Sequence, residues 1–271
     1  MSTRRLAVAA LAGLASTSAV TARTLCTLVT DAADGAVLRE EGDCHTRVTP
    51  ASTFKIPLAV IGFEAGILTD AHTPVFAFKA GYPDWGGPAW HAPTDPTRWL
   101  AYSVVWYSQI VAHRLGRAKL ATETARLGFG NADFSGDPGQ DNGLDRAWIM
   151  SSLRVSPAEQ VAFLRRLATR TLPVSAHTLD ETEKIVTVSP AGDGWTLHGK
   201  TGTAFPRRAD GSFDEGRAYG WYVGWAQRNG RTLVFARLDQ DDRKRTVSGG
   251  MRVRSEFLEG WPALAASLGR P

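Results

Sequence analysis

Ser52 and Lys55 are the residues in this chain best suited to nucleophilic chemistry. They bound Ser52-Thr53-Phe54-Lys55, the only S-x-x-K in the sequence. At i and i+3 on the start of a helix they share a face, so the amine can reach the hydroxyl. Serine is a weak nucleophile until a base withdraws its proton. Backbone N–H groups at the positive end of the same helix can stabilise a developing oxyanion. A capping serine followed by a surface lysine would spell the same four letters. The following residues argue against that reading, because Ile56, Leu58, Ala59, Val60 and Ile61 make the helix apolar around most of its circumference. Such a helix is buried, and a lysine at its head needs a reason to be there.

A second lysine sits in Lys200-Thr201-Gly202. On an exposed strand, the lysine and the hydroxyl can bind a carboxylate, and the glycine lets a substrate backbone approach closely. The same lysine closes Gly194-Trp195-Thr196-Leu197-His198-Gly199-Lys200-Thr201, a literal match to the phosphate-binding loop. That loop needs a helix starting at its lysine. Here Gly202 and Pro206 follow, and the residues between the two glycines are bulky strand formers, so the match is a coincidence of spelling. Ser103 lies among Trp99, Tyr102, Val104, Val105, Trp106 and Tyr107. It is suited to relay a proton from Lys55 to a leaving group, or equally to bond its own i−4 carbonyl as a core serine. The six histidines are scattered, and there is no G-x-S-x-G elbow and no H-E-x-x-H or paired-cysteine metal spacing. His198 shares a strand face with Lys200 and reads as a neutral packing residue.

S-x-x-K, S-x-V and K-T-G in this chain order resemble the penicillin-recognising serine enzymes. Within that group the sequence is similar to the class D β-lactamases over nearly all of its length after the first 22 residues. The resemblance is carried by Ala51-Ser52-Thr53-Phe54-Lys55-Ile56, Ser103-Val104-Val105-Trp106-Tyr107, Phe129-Gly130-Asn131, Lys200-Thr201-Gly202 and Tyr219-Gly220-Trp221-Tyr222-Val223-Gly224-Trp225. Val105 stands where class A enzymes and transpeptidases carry asparagine, and an apolar wall there disfavours an ammonium. The resemblance implies hydrolysis of β-lactams through acylated Ser52. It further implies that neutral Lys55 takes up carbon dioxide as N6-carboxylysine, the general base, with Trp148 donating its indole N–H to it. By the same analogy, the N–H groups of Ser52 and Thr203 form the oxyanion hole. Lys200, Thr201 and Gly202 hold the substrate, with Arg252 on its carboxylate. No metal or organic cofactor is implied. The near rivals are a β-lactam sensor and a D-alanyl-D-alanine peptidase of the same fold, and the missing asparagine disfavours the latter.

These residues must be positioned by elements that change period along the chain. Helical spacing is expected over Thr53–Leu68, from Pro96 to about Leu115, and over Ala118–Leu127. It recurs over Pro157–Arg170, where Ser156 and Glu159 spell a capping box, and over part of Ala176–Val186. Residues 79–98 read as loop. Strands are expected at Trp195–Thr203, Ala218–Gln227 and Thr232–Leu238, the last two joined around Asn229-Gly230, with a final helix from about Val253 to Ala266. The class is α+β: an antiparallel sheet from both chain ends with a helical block inserted, forming one catalytic domain over 23–271.

Arg4 and Arg5, the apolar run to Leu14 and the small residues Val20-Thr21-Ala22 read as a cleavable signal peptide over 1–22, which implies export to the periplasm. Its removal leaves a net charge near +2. That charge and the absence of basic runs imply no nucleic-acid partner, and no later apolar stretch is long enough for a membrane span. Cys26 and Cys44 flank the turn Ala33-Asp34-Gly35, and a hairpin centred on Gly35 sets them opposite each other for a disulfide.

Overall fold

The computed structural model describes residues 22–269, and all but the last residue of the export signal expected at 1–22 lies outside them. The architecture is the expected α+β arrangement. Six strands form one antiparallel sheet: β1 (Arg23–Asp31), β2 (Val37–Gly42), β3 (Val188–Pro190), β4 (Thr196–Ala204), β5 (Tyr219–Arg228) and β6 (Arg231–Gln240). Their order is β2-β1-β6-β5-β4-β3, so the chain start pairs with β6 and the sheet is sewn together from both ends of the sequence. Between β2 and β3 lie α1 (Lys55–Glu64), α2 (Pro96–Tyr102), α3 (Val105–Leu115), α4 (Arg117–Arg126), α5 (Gly143–Arg146), α6 (Pro157–Ala168) and α7 (Ala176–Ile185). The last helix, α8 (Gly249–Ser267), covers the other face of the sheet.

Strand alternation divides the core in two. Trp221, Val223, Trp225, Val234, Ala236 and Leu238 face the helical block. Tyr222, Ala226, Leu233 and Phe235 face Val253, Phe257 and Trp261 of α8. A sheet covered on both faces explains why β5 is almost continuously apolar. The α6 helix opens with the expected capping box: Ser156 accepts from Glu159 N–H while the Glu159 carboxylate accepts from Ser156 N–H.

Two expectations change. Cys26 and Cys44 are joined, but not as directly opposed strand residues. Cys26 pairs with Gly42, and Cys44 lies two residues past the end of β2. The turn is centred ahead of Gly35, pairing Thr30 with Val37, and a bulge between Val29 and Thr30 then moves the register by one residue. The helix expected from Pro96 to Leu115 is broken at Ser103, which takes a left-handed conformation (φ 58°), with Val104 extended after it. The apolar spacing runs on through this break, so periodicity conceals it. Serine and two consecutive β-branched valines are the local preference that gives way there.

Candidate active site

Every residue of α1 from Lys55 to Phe63 is buried, as its all-round apolar sequence requires. Ahead of it, Ala51–Phe54 forms a single 3₁₀ turn, in which Ser52 is the half-exposed member. Lys55 Nζ donates to Ser52 Oγ at 3.1 Å. The lysine is fully buried, and burial, reinforced by the nearby charge of Lys200, pushes its pKa well below the ordinary lysine value. The amine is thereby driven toward its neutral form, in which it can accept a proton.

The nucleophile turn is pinned from several distant elements. Trp221 Nε1 of β5 donates to Thr49 O at 3.0 Å. Gln160 of α6 donates to Thr53 Oγ1 at 2.9 Å, and that hydroxyl donates to Pro50 O at 2.8 Å. Ala51, immediately before the nucleophile, has φ 51°. Left-handed backbone at a residue with a Cβ costs about 1–2 kcal/mol. Ala51 and Ser103, in the two serine-bearing turns, are two of seven such residues among those described.

Strand β4 presses its Lys-Thr-Gly against this turn. A Cβ built on Gly202 would stand 2.9 Å from Pro50 O and 3.1 Å from Thr53 Cγ2. On the opposite side Gly250 N of α8 donates to Thr203 Oγ1 at 2.9 Å. Lys200 is buried, and burial together with the Arg254 charge lowers its pKa to about 7. Short β3 pairs only with Thr196–His198, and Gly199 N–H donates to Thr187 O at 2.9 Å. By the alternation of an antiparallel ladder, the N–H groups of Thr201 and Thr203 then point to the open edge of β4. That is the placement an oxyanion donor at Thr203 needs.

Ser103 Oγ and Trp148 Nε1 are buried and have no hydrogen-bond partner among the described residues. Ser103 therefore does not bond its own i−4 carbonyl. Trp148 is 1% exposed and stacks on Phe54, the neighbour of Lys55, with ring centroids 5.5 Å apart. Phe129 and Phe134 pack on the same Phe54 ring. Val105, at the head of α3, is buried and apolar as expected. The Phe129-Gly130-Asn131 motif serves as an anchor: Asn131 Oδ1 accepts from Arg154 N–H and its amide donates to Ser152 O.

Arg252, expected on the substrate carboxylate, is not an isolated cation. Its guanidinium lies 3.3, 2.9 and 3.1 Å from Asp239, Asp241 and Glu256, yet Nε and Nη2 make no hydrogen bond among the described residues. Buried Asp239 and Asp241 require cations, and they also pair with Arg237 at 2.6 Å and Arg245 at 3.3 Å, so Arg252 is not their sole partner. Lys200 lies within a strand paired to β5, with no helix after it, which removes the phosphate-loop reading. His198 stacks on Trp225 at 4.9 Å, and burial lowers its pKa, consistent with a neutral packing residue. Sequence reasoning missed Thr49, Gln160 and Trp221 as supports, because their bonds to the turn and its surroundings span about a hundred residues or more and leave no local pattern.

Fold and site define a serine acyl-transfer enzyme in which a helical block and a sheet edge pinch the nucleophile between them. The family model of the penicillin binding protein transpeptidase domain matches residues 25–257. The chain is 40% identical over 234 residues to Beta-lactamase OXA-9 of Klebsiella pneumoniae, covering 86% of this chain and 85% of that one. It is 33% identical over 208 residues to Beta-lactamase OXA-1 of Escherichia coli, covering 76% and 72%. The crystal structure of OXA-427 class D β-lactamase superposes with a TM-score of 0.83 at 42% identity, covering 90% of this chain and 99% of the other. The chain belongs to the penicillin-binding transpeptidase family and, within it, to the class D β-lactamases.

Proposed function

We propose that this protein hydrolyses β-lactam antibiotics through an acyl-enzyme on Ser52. The observation that carries this reading is the buried, pKa-depressed Lys55, hydrogen-bonded to Ser52 Oγ. Ser52 Oγ attacks the lactam carbonyl as its proton passes to the Lys55 side of the turn. The N–H groups of Ser52 and Thr203 stabilise the tetrahedral oxyanion. On collapse the C–N bond breaks, and Ser103 relays the proton to the departing ring nitrogen. Water, deprotonated from the Lys55 side, then cleaves the ester and returns a proton to Ser52. Lys200 and Thr201 orient the substrate carboxylate, and Gly202 lets the substrate lie close along β4. Arg252, whose Nε and Nη2 make no hydrogen bond among the described residues, assists Lys200 and Thr201.

Lys55, Trp148 and Ser103 fit a carbon dioxide adduct. A neutral buried amine can form it, and two buried polar atoms without partners can satisfy its oxygens. As N6-carboxylysine, Lys55 supplies a carboxylate general base. No metal or organic cofactor takes part. Among the described residues no helix is long and apolar enough to cross a membrane. We take residues 1–22 as an export signal, 23–271 as a single catalytic domain and the periplasm as its location.

The test is steady-state turnover of a penicillin, an oxacillin-type substrate, a cephalosporin and a carbapenem, with and without bicarbonate at fixed pH. Turnover that bicarbonate raises after degassing is expected. One acylation without release would instead make the protein a sensor. Turnover indifferent to bicarbonate would remove carbon dioxide from Lys55 while leaving Ser52 in place.

A further inference from the structure

We propose that Thr49 is a positioning residue that aims the Trp148 indole N–H at the head of Lys55. The inference deepens the reading of Lys55 given above and rests on it. Thr49 lies three residues before the nucleophile and is 8% exposed. Its hydroxyl donates to Trp148 O at 3.1 Å and accepts from Met150 N–H at 3.1 Å. Its own carbonyl accepts from Trp221 Nε1 at 3.0 Å. One buried residue therefore ties together the nucleophile turn, the sheet and both sides of the turn that carries Trp148.

That turn needs such a tie. Residues 147–150 form no continuing helix, and Met150 closes them in a left-handed conformation, φ 60°. Ring packing on Phe54 fixes the plane in which the indole lies. Packing is indifferent to small slides of that ring, whereas a hydrogen bond is directional, weakening steeply off its axis. Trp148 Nε1 makes no bond within the described residues. Its direction is therefore set through its backbone, and Thr49 is the side chain that grips the backbone on either side of Ile149. Removing the Thr49 hydroxyl leaves Trp148 O and Met150 N–H without that partner, while the chain from Thr49 to Thr53 keeps its bonds to Trp221 and Gln160.

The experiment uses Thr49→Val, close in shape but without the hydroxyl, and Thr49→Ser, which restores it. Labelled bicarbonate is titrated by NMR into each enzyme without substrate, and acylation and deacylation are timed separately with a penicillin. In Thr49→Val the carbon dioxide affinity should fall about fivefold to tenfold, the ordinary size of one hydrogen bond. Deacylation should slow by a similar factor, acylation by less, and Thr49→Ser should recover both. In a Trp148→Phe background, which keeps the ring and loses the N–H, adding Thr49→Val should change nothing further, since the two act through one bond. Additive effects, or a Thr49→Val enzyme with wild-type carbon dioxide affinity, would overturn the proposal. A wild type that binds no carbon dioxide would sink the carboxylysine reading separately. The kinetic cycle on deacylation would then still decide whether Thr49 acts through the indole N–H.

Discussion

Gly202→Ala tests whether β4 is fixed against the nucleophile turn. The added Cβ would meet Pro50 O at 2.9 Å and Thr53 Cγ2 at 3.1 Å. Ordinary contact begins near 3.4 Å, so β4 or the turn must give way by about half an ångström. Neither is free to do so. The turn is held by Trp221 and Gln160, and a Cβ built on Gly250 of α8 already falls 2.6 Å from Gly202 O. Overpacking of this kind costs about 1–3 kcal/mol of stability. A 1 Å misplacement at a reacting centre can cost about a hundredfold in rate, so a loss of about tenfold or more in kcat/KM is expected. The assay is burst-phase acylation with a chromogenic cephalosporin beside thermal unfolding. Gly260→Ala on α8 is the control, since its Cβ meets nothing within 4 Å and alanine favours a helix. Acylation within twofold of wild type in Gly202→Ala would show that the strand is free to move, and the pinched-site argument would fail.

Trp148→Phe should keep the stack on Phe54 and lose the indole N–H, so that deacylation slows more than acylation and added bicarbonate recovers part of the rate; equal slowing of both steps would count against the assignment. Removing the disulfide by Cys26→Ala with Cys44→Ala should cost about 2–4 kcal/mol in denaturant unfolding, from the loop it closes; an unchanged midpoint would contradict that. Lys200, with its pKa lowered to about 7 in the fold, makes stability depend on pH. An unfolded lysine keeps its proton to about pH 10.4, so between about pH 7 and 9.5 the unfolded chain binds more protons and stability rises with pH. The rise is at most about 1.4 kcal/mol per pH unit for one lysine, and Lys55 acts in the same direction. In carbon-dioxide-free buffer Lys200→Ala should flatten this slope by up to one proton, and an unaltered slope would show that Lys200 stays charged in the fold.

Much of the site was legible because its chemistry is local or apolar. Ser52 and Lys55 lie one turn apart on a helix whose apolar circumference announces its burial, and Lys200-Thr201-Gly202 sits in an alternating strand. The sheet was legible from the Asn229-Gly230 turn and the apolar run of β5. The break at Ser103 was not, since one left-handed residue leaves the apolar spacing intact. The bulge at Val29/Thr30 escaped for a similar reason, because strand pairing is counted from turns and a bulge adds a residue silently. The role expected of Arg252 comes from the resemblance alone, because spacing says nothing of which carboxylates a long side chain will reach. Its ion pairs with Asp239 and Asp241 are ones that only the folded sheet, bringing them beneath α8, creates. Thr49 carries no motif at all, and its value lies in contacts with residues about a hundred positions away.

Turnover requires that Ser52 be acylated and then released. Rapid-quench intact-mass spectrometry during turnover of a penicillin tests it most directly, with peptide mapping of the adduct. An adduct of one penicillin mass is expected, one that appears within the first turnover, maps to the peptide containing Ser52, decays as substrate is exhausted and is absent in Ser52→Ala. An adduct on any other residue, or hydrolysis by Ser52→Ala at the wild-type rate, would contradict it.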